Sequence, residues 1–201
     1  MIPSLMKSSP EREIYILVTL IFLAIGVQLA TGFSPTFRFQ PQLIFKAIIA
    51  GILLLGIRVA VNVFLELFQS RKKVELGPRG YLKTEILTLS TGGELFLRGS
   101  VLGGVGVISP FLGQLLNFVL GVFVEGGIRR SWIDGVSGGI AGILLGALYL
   151  EYRSLFLVTV ASLLSLVLLR IYQTSPLDRR VKEFVRKIAA PVIQRIGRYG
   201  R

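Results

Sequence analysis

Long apolar runs constrain this chain to fold as helices that cross a membrane. An α-helix needs about 17–25 residues to span a bilayer, and six apolar runs of this order follow one another along the sequence. The chain has 201 residues, of which 52% are hydrophobic and 17% are charged, too apolar a composition for a soluble domain of this length. We therefore predict an all-α fold, a polytopic transmembrane helix bundle of about six crossings. The six runs cover residues 14–29, 43–68, 81–108, 111–124, 135–149 and 155–172.

The basic residues are distributed unevenly between the two ends of these predicted helices. The loops at one end contain only Arg38 and Arg153, whereas the other end holds residues 7–12, 71–83, 129–130 and the C-terminal tail. Lysine and arginine are enriched in cytoplasmic loops, so we expect both termini on the cytoplasmic side. The membrane would be the plasma membrane or an internal membrane such as the thylakoid. We attribute the net charge of +12 to topology and anionic lipid, and we expect no nucleic-acid partner.

The chain divides into three predicted parts. Residues 1–80 hold two transmembrane helices and a polar link, residues 81–172 form a helical core, and residues 173–201 form a basic tail. In residues 175–201, apolar residues recur at helical spacing among eight basic and two acidic ones. This pattern is typical of an amphipathic surface helix on an anionic leaflet, and the charges would equally serve as an ordinary positive-inside anchor.

Charged residues inside the apolar runs are the candidate functional residues. Glu94 and Arg98 are four residues apart, so on a helix they share one face with the acid on the N-terminal side, the favourable order. Intramembrane charges are costly and usually mark functional sites. This pair therefore either fixes helix packing or holds an oriented carboxylate. Arg58 and Glu66 are secondary candidates, and we expect Arg58 to pair with Glu66, with Glu94 or with backbone carbonyls.

Two faces of glycine residues favour close helix packing. Gly138, Gly142 and Gly146 recur at intervals of four in the fifth run, and Gly99 and Gly103 do so directly after Arg98. Small residues at this spacing let helix backbones approach closely in membranes. We expect them to pack the fifth helix onto the third within the chain, with homodimerisation as the alternative.

Residues 93–99 resemble the first motif of the CPBP family, the CAAX-protease and bacteriocin-processing intramembrane proteins. That motif reads Glu-Glu-x-x-x-Arg and is commonly followed by Gly. Glu94, Arg98 and Gly99 match it, but Gly93 stands where the family has its first Glu. In the family that first Glu is taken to activate the attacking water, so this departure puts the hydrolytic chemistry in doubt.

The later family motifs are also incomplete. Phe118 matches the Phe of a Phe-x-x-x-His motif, but Val122 stands in place of the His. Residues 138–150 resemble the family's glycine-rich helix, and Ser162 occupies by spacing the position of a further His. The resemblance spans residues 81–172, and it implies the family's fold without its protease chemistry.

These observations lead to three functional hypotheses. The chain contains no His and no Cys, and we predict no metal site and no cofactor. The first hypothesis is a non-catalytic, CPBP-like scaffold, assembly factor or binding partner of another membrane protein or a lipid-like ligand. The alternative is a divergent intramembrane protease that uses Glu94 as its base. The third is a small transporter with Arg58, Glu66 and Glu94 as a polar path.

Overall fold

The computed structural model describes residues 10–69, 83–129 and 131–199. Within this part of the chain every regular element is helical, which confirms the predicted all-α class. Tyr81, where the third apolar run begins, and most of the polar link lie outside the described residues. The α-helices are α1 (Pro10–Thr31), α2 (Pro41–Gln69), α3 (Lys83–Leu87), α4 (Gly103–Ile108), α5 (Pro110–Arg129), α6 (Trp132–Tyr152), α7 (Leu155–Thr174) and α8 (Pro176–Tyr199).

Local sequence explains where the helices begin and end. After α1, Gly32 adopts a φ of +65°, a left-handed conformation that glycine takes without a steric cost. Four helices begin with proline at a position where the missing N–H costs nothing. Two others begin after a serine whose hydroxyl accepts a hydrogen bond from a backbone N–H three residues later. The prolines are Pro10, Pro41, Pro110 and Pro176, and the serines are Ser131 and Ser154.

The third apolar run forms one interrupted helix over residues 83–108. Between α3 and α4 the chain is π-helical in two stretches, π1 (Thr88–Gly93) and π2 (Leu95–Leu102), with Glu94 between them. The sequence left open whether this run is one tilted helix or two broken pieces. The structure shows one helical path with widened turns, a rare form that often accompanies functional sites.

Among the described residues, five helices are long and apolar enough to cross a membrane, namely α1, α2, α5, α6 and α7. The interrupted helix runs parallel to α1. At one end the Thr88 hydroxyl donates to the carbonyl of Glu13, and towards the other end the Gln28 amide donates to the Ser100 hydroxyl at 2.9 Å. The described segments therefore form a single bundle of six side-by-side helical passes, in which residues 10–69 pack directly on the core rather than standing apart.

The remaining helices pack in two pairs. α2 and α7 run parallel, and Gly51 of α2 lies so close to α7 that a Cβ there would be 3.1 Å from the carbonyl oxygen of Ala161. α5 and α6 are antiparallel, with Gly126 and Gly135 facing each other. A core of buried aliphatic side chains joins α2, α6 and α7 around Tyr149, which is fully buried. This arrangement leaves the centre of the bundle bordered by α2, the interrupted helix, α5, α6 and α7.

Candidate functional site

Four buried charged side chains meet in the centre of the bundle. Arg58 comes from α2, Glu94 and Arg98 from the interrupted helix, and Glu125 from α5, and each is no more than 5% exposed. The Arg58 guanidinium donates to a Glu125 carboxylate oxygen, and Nη1 of Arg98 lies 3.3 Å from Oε1 of Glu94. Two cations and two carboxylates thus balance each other where water cannot solvate them. We refer to these four residues as the central charge cluster.

A small cavity lies against the central charge cluster. Its volume is about 20 Å³, and its lining includes Gly93, Ser162 and all four cluster residues. Ser162, on α7, faces the same cavity as the Glu94 carboxylate. Oε2 of Glu94 and Nε of Arg98 are buried without a direct hydrogen-bond partner in the described part of the chain. A polar space of this size accommodates about one water molecule.

The glycine face of α6 makes room for the charges of this cluster. A Cβ on Gly138 would overlap the Glu125 carboxylate, and a Cβ on Gly142 would lie 2.9 Å from Nη2 of Arg98. Most of this face therefore packs against α5, and the interrupted helix contributes Arg98. The expectation that this face packs the fifth helix onto the third run is met only at Gly142, by Arg98, and is wrong at Gly138 and Gly146, because polar side chains of α5 fill the groove there.

The other glycines of the predicted faces are also covered within the chain. A Cβ on Gly146 would lie 2.6 Å from Nδ2 of Asn117, whose amide donates to the carbonyl oxygen of residue 142 at 2.7 Å. Gly103 lies directly under the ring of Phe33, and Gly99 packs against the same connection between α1 and α2. These glycines contact other elements of the same chain. Those elements cover the glycines, so a second copy of the chain cannot reach them.

The partner of Arg58 is Glu125, a residue that the sequence analysis did not single out. The expected neighbour Glu66 lies eight residues further along α2, which places it about 12 Å away along the helix axis. Glu66 instead forms an ion pair with Lys182 of α8 at 2.9 Å. Glu125 lies just beyond the fourth predicted apolar run, which ends at residue 124, whereas the helix α5 continues to Arg129. Extending that run by one residue would have revealed the buried carboxylate.

A second ion cluster fastens one end of the bundle. Nη1 of Arg129 lies 3.1 Å from Glu85 of α3, and its Nε lies 3.3 Å from Asp134 of α6. Nη2 of Arg12 donates to the carbonyl oxygen of Gly127 at the same end, at 3.2 Å. These contacts tie α1, α3, α5 and α6 together, so they stabilise the bundle rather than open a path into it.

The structure gathers only some of the residues that carry the CPBP resemblance. Gly93, Glu94, Arg98 and Ser162 all line the cavity. Phe118 and Val122 pack against Gly139 of α6, and Val122 is not among the described residues that line the cavity. The position at which the family has its second-motif His is therefore packed against Gly139 of α6 in this chain.

Comparison of the chain with protein-family models, with curated proteins and with solved structures finds no match. The architecture and its apolar helices define the class, an all-α helical membrane protein with buried ion pairs. The CPBP resemblance rests on the motif residues alone and stays a prediction.

Proposed function

We propose that this chain is a non-catalytic, CPBP-like integral membrane protein that acts as a scaffold or assembly factor for another membrane protein. The observation that carries this proposal is the closure of the central charge cluster. Each carboxylate of the cluster faces an arginine, and the cluster is enclosed by five helical segments. Such an arrangement holds helices in register and leaves the outer surface of the bundle for recognition.

The dimensions of the cavity favour this role over a protease. A volume of about 20 Å³ accommodates about one water molecule, whereas proteolysis requires a peptide segment beside the attacking group. Glu94 is paired with Arg98, and Gly93 supplies no carboxylate beside it. The other carboxylate of the cavity, Glu125, is engaged by Arg58. Both carboxylates are thus held by arginines, whereas an activated water needs an acid–base partner.

The same placement weighs against the transporter hypothesis. A polar path through Arg58, Glu66 and Glu94 would require the three to line one route. Glu66 is instead paired with Lys182 at the end of α2, while Arg58 and Glu94 line the central cavity.

Two pairs of small residues on the outer surface are the places where a partner helix would pack. Gly26 and Ala30 are exposed on α1, and Gly56 and Ala60 are exposed on α2. A Cβ on either glycine would meet nothing within 4 Å. Small residues four apart on a lipid-facing surface allow a second transmembrane helix to approach closely. The proposed partner is therefore a membrane protein that presents a helix to α1 or α2.

The test is co-purification of the tagged protein, expressed at its native level and extracted in mild detergent. We expect a membrane protein in stoichiometric amount. We also expect its loss when Gly56→Leu and Ala60→Leu, or Gly26→Leu and Ala30→Leu, fill one of the two surfaces. Ile48→Phe, on an exposed part of α2 that lies more than two turns from Gly56 and on a different side of the helix, is the matched control and should retain the partner.

Each variant is first checked for an unchanged unfolding midpoint in the same detergent, which separates a lost surface from a lost fold. A protein that purifies with bound lipid alone, or a partner retained by both double variants, would contradict the proposal.

A further inference from the structure

The first half of α8 is attached to the bundle by a three-residue ion bridge. Nζ of Lys182 lies 2.9 Å from the carboxylate of Asp178, one turn earlier, and 2.9 Å from the carboxylate of Glu66 on α2. Asp178 is 5% exposed, so this side of α8 faces the protein. Burial by itself lowers the pKa of Lys182, but hydrogen bonds to the two carboxylates outweigh it and raise that pKa. The ammonium is therefore firmly charged, and the bridge fixes the rotation of α8 about its own axis.

The bridge also fixes the depth at which α8 lies relative to the membrane-spanning helices. Glu66 is the last residue of the apolar part of α2, and α8 begins directly after the last residues of α7. A helix that starts where two membrane-spanning segments end lies at the boundary between hydrocarbon and water.

With this rotation, an apolar stripe of α8 remains uncovered. Leu177, Phe184 and Ile188 are each about 60% exposed, at 59%, 64% and 59%. Their spacing of seven and four residues places them along one side of the helix. Exposed basic residues surround this stripe: Arg180 and Lys187 flank it, and Arg179 lies across the helix from it.

We propose that α8 binds the anionic surface of the bilayer in which the bundle sits. Leu177, Phe184 and Ile188 enter the boundary between headgroups and acyl chains, and the exposed Arg179, Arg180 and Lys187 contact acidic headgroups. Lys182 is a positioning residue, because through Glu66 and Asp178 it turns the stripe towards lipid. Charge complementarity identifies the occupant, since residues 175–201 carry eight basic and two acidic residues and basic amphipathic helices are attracted to anionic lipid.

The absence of cysteine from the chain makes a depth measurement straightforward. Two single-cysteine variants would each carry a spin label on the new thiol. Phe184→Cys places the label on the apolar stripe of α8, and Glu183→Cys places it on the charged side of the same helix. The proteins would be reconstituted into vesicles of phosphatidylcholine alone, or of phosphatidylcholine mixed with phosphatidylglycerol. Collision rates with oxygen, which concentrates in lipid, and with a water-soluble nickel complex report depth.

We expect the oxygen-to-nickel ratio to be higher at position 184 than at position 183, and higher at position 184 with phosphatidylglycerol than without. Lys182→Gln should reduce the difference between the two positions, whereas Lys46→Gln, the same substitution at the opposite end of α2 where the ammonium lies over the Tyr152 ring, should preserve it. Equal ratios at positions 184 and 183, or no effect of phosphatidylglycerol, would overturn the proposal. Protection of position 184 from both reagents would also overturn it, because a protein rather than lipid would then cover the stripe.

Discussion

The Glu125 carboxylate occupies the space that a side chain at position 138 would need, so Gly138 and Glu125 are matched across the contact between α6 and α5. This glycine does more than let two backbones approach. It provides room for a buried charge whose partner, Arg58, stands on a third helix.

Gly138→Ala is expected to destabilise the protein by about 1–3 kcal/mol, the usual cost of overfilling a packed interior. Gly127→Ala is the matched control, since a Cβ there meets nothing within 4 Å, and we expect its effect to be within about 0.5 kcal/mol. The free energy of unfolding in mild detergent would be measured for both variants. A Gly138→Ala protein as stable as the control would show that the Glu125 carboxylate lies elsewhere.

Single and double substitutions at Arg58 and Glu125 separate a helix-joining ion pair from two independent charges. Arg58→Leu or Glu125→Leu alone leaves one buried charge without its partner, which costs about 3–5 kcal/mol. Replacing both with leucine removes both desolvation penalties, so the double variant should be more stable than either single one. Additive losses in the same unfolding measurement would mean that the two residues act separately.

Substitutions of Gly93 test how much space lies beside the Glu94 side chain. A Cβ on Gly93 would meet only the carbonyl oxygen of Thr88, at 3.8 Å, so Gly93→Ala should fold and gain about 0.4–1 kcal/mol from a less flexible unfolded chain. Gly93→Glu would bring a third carboxylate into a cavity of about 20 Å³ with no additional cation, and we expect clear destabilisation. If the glutamate variant equalled the alanine variant in thermal unfolding, the cavity would be larger than described.

The attachment of α8 should depend on pH through Lys182. Its pKa is raised above the ordinary value of 10.5. The bridge therefore contributes fully below that value, and its contribution is lost as the pH rises through the folded-state pKa. A spin label at Glu183→Cys should become more mobile on that rise. In a Lys182→Arg background the change should shift to higher pH, because a guanidinium stays charged. Identical pH profiles in the two proteins would exclude Lys182 as the titrating group.

Much of the fold could be predicted from hydropathy and helix-terminating residues. The runs at 43–68 and 155–172 match α2 and α7 to within two residues at every end. The fourth run was taken to end at residue 124, before the charge of Glu125, and α5 extends five residues beyond it. Helix ends rich in charge are where a hydropathy criterion fails.

The candidate site could be predicted only where its residues are close in sequence. Glu94 and Arg98 share one helix, so spacing alone indicated their contact. The pairs Arg58–Glu125 and Lys182–Glu66 join different helices. The apolar periodicity of one helix does not indicate which of several other apolar helices packs beside it, so these pairs could not be predicted from the sequence.

The central claim is that the charge cluster is architectural, and the most direct measurement compares Glu94→Leu, Arg98→Leu and the double variant. In each, the unfolding midpoint and the amount of co-purifying membrane partner would be determined side by side. We expect both single variants to be destabilised, and the double variant to fold and to retain the partner, because two uncharged side chains replace a matched pair. A double variant that folds normally but loses the partner would contradict the claim, since the charges themselves would then perform the function.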